Sequence, residues 1–97
     1  MPSLAGLTID DFIPCRGQSF RLRAPAGEAE LELAEIRPLG RAVRPGGAFS
    51  LLFLAPSGPF LPQATYLIAH PTLGDLELFI VPVGAQDGRN AYEAIFT

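Results

Sequence analysis

Lysine and tryptophan are absent from the chain, and cysteine, histidine and methionine occur once each. A single cysteine, Cys15, excludes an intrachain disulfide. One histidine and one cysteine fall short of the four or so ligands a zinc site needs. Basic charge is also scarce, since all seven cations are arginine against ten acids and the net charge is −3. The missing lysine fits a GC-rich genome. The acidic balance argues against binding nucleic acid or an anionic membrane, which requires a basic face. No apolar run is long enough to span a bilayer, and "MPSLAGLTIDDF" lacks the basic and apolar regions of a signal peptide. The sequence therefore predicts cytoplasmic synthesis and no membrane insertion.

Glycine and proline, in contrast, number ten each. They cluster at Pro14–Gly17, Pro25–Gly27, Pro38–Gly47, Pro56–Pro62, Pro71–Gly74 and Gly84–Gly88. Between the clusters lie short runs rich in Phe, Leu, Ile, Val and Tyr. Such spacing predicts a single all-β domain over residues 1–97: a small antiparallel barrel or roll of about six strands. One short N-terminal helix is expected over Thr8–Pro14. Thr8 and Asp11 make a weak capping box, Pro14 ends the helix, and Ile9, Phe12 and Ile13 could plug the β structure.

The first hairpin reads clearly. "QSFRLR" and "EAELEL" flank "APAG", so Arg23 should face Glu28, Arg21 Glu30, Leu22 Ala29 and Phe20 Leu31. One face is charge-paired and the other apolar, as in a half-buried antiparallel pair. Glu28, Glu30 and Glu32 could form a cation site, but a solvated face beside arginines is the simpler reading. The alternation changes phase after Leu33, which predicts a bulge or a strand end. Arg37, Arg41 and Arg44 in the next connector read as a solvated loop, for no phosphate-cradling glycines or interleaved aromatics accompany them.

"FSLLFLAP" is apolar on both faces, with Phe49, Leu51 and Phe53 opposite Leu52 and Leu54, which predicts burial on both sides. In "TYLIAHPTLGDLELFIVPV", a four-residue turn over Pro71–Gly74 would pair His70 with Asp75 and Ile68 with Glu77. Leu67, Ala69, Leu76, Leu78 and Ile80 would then share one face. Tyr66, Ile68, Phe79 and Val81 would lie on the other with His70, Asp75 and Glu77. Pro82 should mark an edge, a bulge or a strand end. In "AYEAIFT", Tyr92, Ala94 and Phe96 alternate with Glu93 and Ile95. This last strand needs a partner, and the first strand is a candidate that would close a barrel.

Chemistry is sparsely represented. His70 and Cys15 stand in different turns, and no flanking sequence supports a dyad. His70 reads as a surface residue at a hairpin end and Cys15 as a small buried hydrophobe. Asp10 and Asp11 suit a helix start. Phosphate-binding, dinucleotide and calcium-loop motifs are missing. The expectation is a non-enzymatic protein with no catalytic residues, cofactor or metal.

The runs "FIPCRGQSF", "FSLLFLAP", "LPQATYLIAHPTLGDLELFIVPVG" and "YEAIFT" resemble a family of small bacterial proteins of unassigned function, from Leu7 to Thr97. The features that carry the likeness include Phe12, Gly17, Phe20, Pro62-Gln63, Thr65-Tyr66, His70, Leu73-Gly74, Phe79, Pro82 and Tyr92-Glu93-Ala94. Ala64 stands where relatives commonly have glycine. Family members are often encoded beside tail-collar, phage-tail-fibre-like proteins of the microcystin-dependent type. The resemblance implies association with a fibre or appendage, and incorporation into an extracellular or phage-tail-like assembly.

A domain this small should not bury both faces of three strands in one core. The expected function is a structural or assembly module that packs against itself or against a tail-collar or fibre-like partner. Its candidate interface is Phe53, Tyr66, Ile68, Phe79 and Val81. The alternative is a small-ligand-binding β-barrel, although short barrels usually fill their interiors with side chains. A small enzyme ranks below both.

Overall fold

The computed structural model describes residues 7–24, 27–39, 48–55, 61–86 and 88–96. Its elements are a helical turn α1 (Ile9–Phe12) that runs into a 3-10 turn, Ile13–Cys15, and six strands. The strands are β1 (Ser19–Ala24), β2 (Gly27–Pro38), β3 (Phe49–Ala55), β4 (Ala64–His70), β5 (Gly74–Gln86) and β6 (Arg89–Phe96). They form a closed antiparallel barrel in the order β1-β2-β3-β6-β5-β4.

Alternating side chains fill this barrel. Phe20 and Leu22, Leu31 and Leu33, Phe49, Leu51 and Phe53, and Tyr92 and Ala94 all belong to one buried cluster. The N-terminal turn adds a plug. Asp11 reaches back to accept a hydrogen bond from the Thr8 N–H at 2.7 Å, which satisfies a donor the helix start leaves open. Phe12 is thereby set against Phe49 and Phe96, with ring centroids 5.7 and 5.5 Å away. Phe49 and Phe96 stack on each other at 4.5 Å. Of the three expected plug residues, Phe12 is fully buried and Ile9 packs against the core, whereas Ile13 is exposed.

The β1–β2 hairpin has the expected register, with Phe20 opposite Leu31, Arg21 opposite Glu30, Leu22 opposite Ala29 and Arg23 opposite Glu28. Slipping it by one residue would oppose arginine to leucine and turn Phe20 and Leu22 outward. A bulge between Leu33 and Glu35 changes the phase of β2, so that Ile36 packs inward after it. Pro82 borders a second bulge, before Gly84. There its missing N–H removes nothing from a regular ladder.

Two expectations are corrected. The last strand does not pair with the first: β6 lies between β3 and β5, and the barrel closes through β1 and β4. The β4–β5 hairpin is also one residue out of the expected register. His70 pairs with Gly74, Ala69 with Asp75, Ile68 with Leu76 and Tyr66 with Leu78. The reason lies in the loop. Gly74 takes a positive φ of 80°, so three residues, Pro71 to Leu73, make the connection rather than four. Because side chains alternate, the shift moves Tyr66, Ile68 and His70 inside with Leu76, Leu78 and Ile80. Leu67 and Ala69 join Asp75, Glu77, Phe79 and Val81 on the outside. The double apolarity of β3 is real in part: Phe49, Leu51, Phe53 and Leu54 are buried, and Leu52 is half-buried.

Removing the plug should leave a cavity that the rings of Phe49 and Phe96 cannot fill. Phe12→Ala is expected to lower unfolding free energy by about 3 kcal/mol in urea titration, as buried Phe-to-Ala changes do. A loss below roughly 1 kcal/mol would show that the turn is dispensable to the barrel.

Candidate functional site

His70 is the residue whose type most suggests chemistry, and the fold commits it fully. It ends β4, faces inward and is buried. Its Nδ1 accepts hydrogen bonds from the backbone N–H groups of Thr72 at 3.0 Å and Leu73 at 3.3 Å. With Nδ1 an acceptor, the proton of the neutral ring sits on Nε2, which donates to Gln18 Oε1 at 2.7 Å. The imidazole also lies against Phe20, with ring centroids 4.6 Å apart. His70 therefore folds its own loop and ties the segment entering β1 to the end of β4.

This tie matters because the closing seam is short. β1 and β4 are paired over only three residues each, Arg21–Arg23 against Leu67–Ala69. Where that ladder stops, side chains from Gln18, Phe20 and His70 continue the closure. Cys15 is buried separately, and its thiol lies 3.7 Å from the Asp11 carbonyl oxygen. Burial first, and the Asp11 charge second, push its pKa up, which disfavours the nucleophilic thiolate.

A groove of about 430 Å³ runs along the outside of this seam, lined by Ser19, Arg21, Arg23, Glu30, Ala69 and Pro71, among others. Its charge is largely balanced within the chain. Arg23 contacts Glu28 at 3.3 Å across the hairpin, and Arg21 faces Glu30 in register. The third acid of the expected row, Glu32, instead meets Arg89 of β6 at 2.7 Å, spanning β3 at the level of Leu54. Arg37 pairs with Glu35 at 3.6 Å, while Arg41 and Arg44 lie outside the described residues.

The expected interface residues divide between the two sides of the wall. Phe53, Tyr66 and Ile68 are core residues: Phe53 packs edge-on to Phe20 at 5.4 Å, and the hydroxyl of Tyr66 donates to the Pro62 carbonyl at 2.7 Å. They cannot contribute to a surface, since the register of β4 turns Tyr66 and Ile68 inward. Phe79 and Val81 do face out. Phe79 is 51% exposed beside Thr65 of β4, and one step beyond Ile80–Ala94 it meets Ile95 of β6, itself 54% exposed. Phe79 and Ile95 line a common recess of about 300 Å³ together with Thr65 and Glu77. A second recess of about 220 Å³ continues the face past Glu93 to Leu52 and Val83. Ile95 was absent from the expected interface, although its alternation with the inward Tyr92, Ala94 and Phe96 signals its outward position.

The His70 geometry carries a pH dependence of definite sign. Burial lowers the pKa of His70 below its usual 6.5, and protonation would add a hydrogen to Nδ1 where two N–H groups already point. The unfolded chain thus binds the proton more readily than the folded one. The stability contributed by neutral His70 is full above about pH 6.5 and is lost as pH falls from there through the lowered folded value. The urea midpoint should drop between pH 7.5 and 5. In His70→Asn, which can still cap the loop through its side-chain oxygen, that drop should shrink. Identical pH profiles for the two proteins would refute this role.

Residues 7–96 match the model of the family described as Domain of unknown function (DUF6916). Neither the curated proteins nor the solved structures gave a match. With the match running from Leu7, just ahead of the N-terminal turn, to the last residue of β6, the chain belongs to the DUF6916 family.

Proposed function

We propose that the protein is a non-enzymatic assembly module that docks through the outer face of β4, β5 and β6. The observation that carries this reading is the adjacency of Phe79 and Ile95, each about half exposed, on the outside of a barrel whose inside is already filled. Burying apolar surface of this kind contributes roughly 25 cal/mol per Å². An exposed apolar strip on the outer wall suits a protein partner better than a small molecule. The partner is either another copy of the chain or a fibre- or appendage-like protein, with the tail-collar class as the specific candidate from the family resemblance. Incorporation into an extracellular or phage-tail-like structure belongs to the same proposal.

The ligand-binding alternative is weaker. Tyr92, Phe20, Phe49 and Phe53 are fully buried in the space a barrel ligand would occupy. No catalytic step is proposed either, because both ring nitrogens of His70 are engaged in holding the fold.

The test is association. Phe79→Ser should leave the barrel folded by circular dichroism, since the side chain points outward. Coexpression with a tail-collar partner, or light scattering of the protein alone at high concentration, should reveal a complex that Phe79→Ser weakens at least tenfold, the scale of losing one interface anchor. Equal association of the wild type and the variant would overturn the reading.

A further inference from the structure

The outer face of β4, β5 and β6 has a chemistry that separates its possible occupants. Its apolar members are Leu67, Phe79, Val81 and Ile95, held side by side by the β4–β5 and β5–β6 registers. Its charged members are Asp75, Glu77 and Glu93, all acidic. Glu77 stands opposite Leu67 and lines the recess between Phe79 and Ile95, while Glu93 stands opposite Val81. Among the described residues, the arginines of the strands lie at its borders or beyond: Arg21 and Arg23 on β1, Arg37 on β2, which lines the recess past Glu93, and Arg89 at the start of β6. Arg23 borders the face beyond Leu67 but is held by Glu28 on its far side, and Arg89 is held by Glu32. The face therefore combines an apolar strip with the acids Asp75, Glu77 and Glu93, while Arg23, Arg37 and Arg89 at its border are each paired with a glutamate of β2.

A second copy is a poor occupant for such a face. Two-fold packing brings the same patch of each molecule together, which would gather Asp75, Glu77 and Glu93 of both against one another. Head-to-tail packing on the β1–β2 side does no better. There Arg21 and Arg23 are offset by Glu30 and Glu28, and the whole chain is net negative. Like charges brought together at an interface select against that partner, and complementary ones select for it.

We infer that the β4–β5–β6 face is a docking site for a segment of a different protein that carries apolar side chains flanked by arginine or lysine. The inference rests on the assembly reading above and names the partner's chemistry. Apolar side chains of the segment occupy the recess at Phe79 and Ile95, and its cations meet Glu77 and Glu93 at the rim.

The probes are two eight-residue peptides, one alternating arginine with valine and the other alternating glutamate with valine. They are titrated into the ¹⁵N-labelled full chain and followed by amide shifts, with light scattering of the protein alone in parallel. The basic peptide should perturb amides around Phe79, Ile95, Glu77 and Glu93, and it should bind at least about fivefold more weakly in high salt, as exposed complementary charges require. The acidic peptide should bind more weakly than the basic one. Reversing the border with Glu77→Lys and Glu93→Lys should invert that preference while the barrel remains folded. Perturbations on β1 and β2, or equal binding of the two peptides, would overturn the inference. A wild-type dimer broken by Phe79→Ser would also overturn it while leaving the assembly reading intact. If the protein is monomeric and neither peptide nor a coexpressed partner responds to Phe79→Ser, both fail.

Discussion

Closure of β1 on β4 is the constraint on which the rest of the molecule depends. Three residue pairs complete the ring of strands, against seven for the neighbouring β4–β5 ladder. An open six-stranded sheet would expose two edges and one whole apolar face. Closed, it acquires an inside and an outside, and every other assignment follows from that division. The short seam is extended by side chains rather than backbone: Gln18 bonds to His70, and Phe20 packs against the same ring. The buried imidazole would be costly if unpaired, but each nitrogen has partners, so its burial is compatible with a stable barrel.

Closure also decides where function can reside. A six-stranded barrel of this size is filled by its own side chains, and here Phe12 plugs one opening against Phe49 and Phe96. Recognition is then left to loops and to the outer wall. On that wall the strands are not equivalent. The β1–β2 face is charge-paired, and the Glu32–Arg89 pair spans β3 beside the buried Leu54. Between β4 and β6 the apolar residues Phe79 and Ile95 have no such cover among the described residues.

Legibility in the sequence followed how strongly each segment penalises its alternatives. The β1–β2 hairpin could be read because arginines and glutamates alternate with Phe20, Leu22, Leu31 and Leu33, and any slip misplaces all of them. The bulge after Leu33 was marked by a change of phase in the alternation, and the Thr8–Asp11 cap and the irregularity at Pro82 by local residues with one physical use. The β4–β5 hairpin gave no such guidance. On β4, Tyr66 and Ile68 compete with Leu67 and Ala69 for the interior, and both pairs are apolar. Register then passed to the loop, where His70 and the positive φ of Gly74 favour three residues over four. The placement of β6 between β3 and β5 is a long-range choice. No local pattern in "AYEAIFT" specifies its neighbours, only which of its residues face inward.

The candidate site was accordingly half legible, for a reason that reverses the usual weight given to residue types. Phe79 and Val81 kept their outward positions under either register, because β5 alternates with acids at Asp75 and Glu77. Tyr66, Ile68 and His70 changed sides together when β4 shifted against it. A lone histidine at a hairpin end attracts a catalytic reading, yet its polarity is what allowed it to be drawn inside: an imidazole can satisfy loop amides and a glutamine at once, where an aliphatic residue could satisfy neither. Phenylalanine and isoleucine gain nothing comparable from exposure. At Phe79 and Ile95 water is displaced only when another apolar surface arrives, and the acids beside them set which surface can approach.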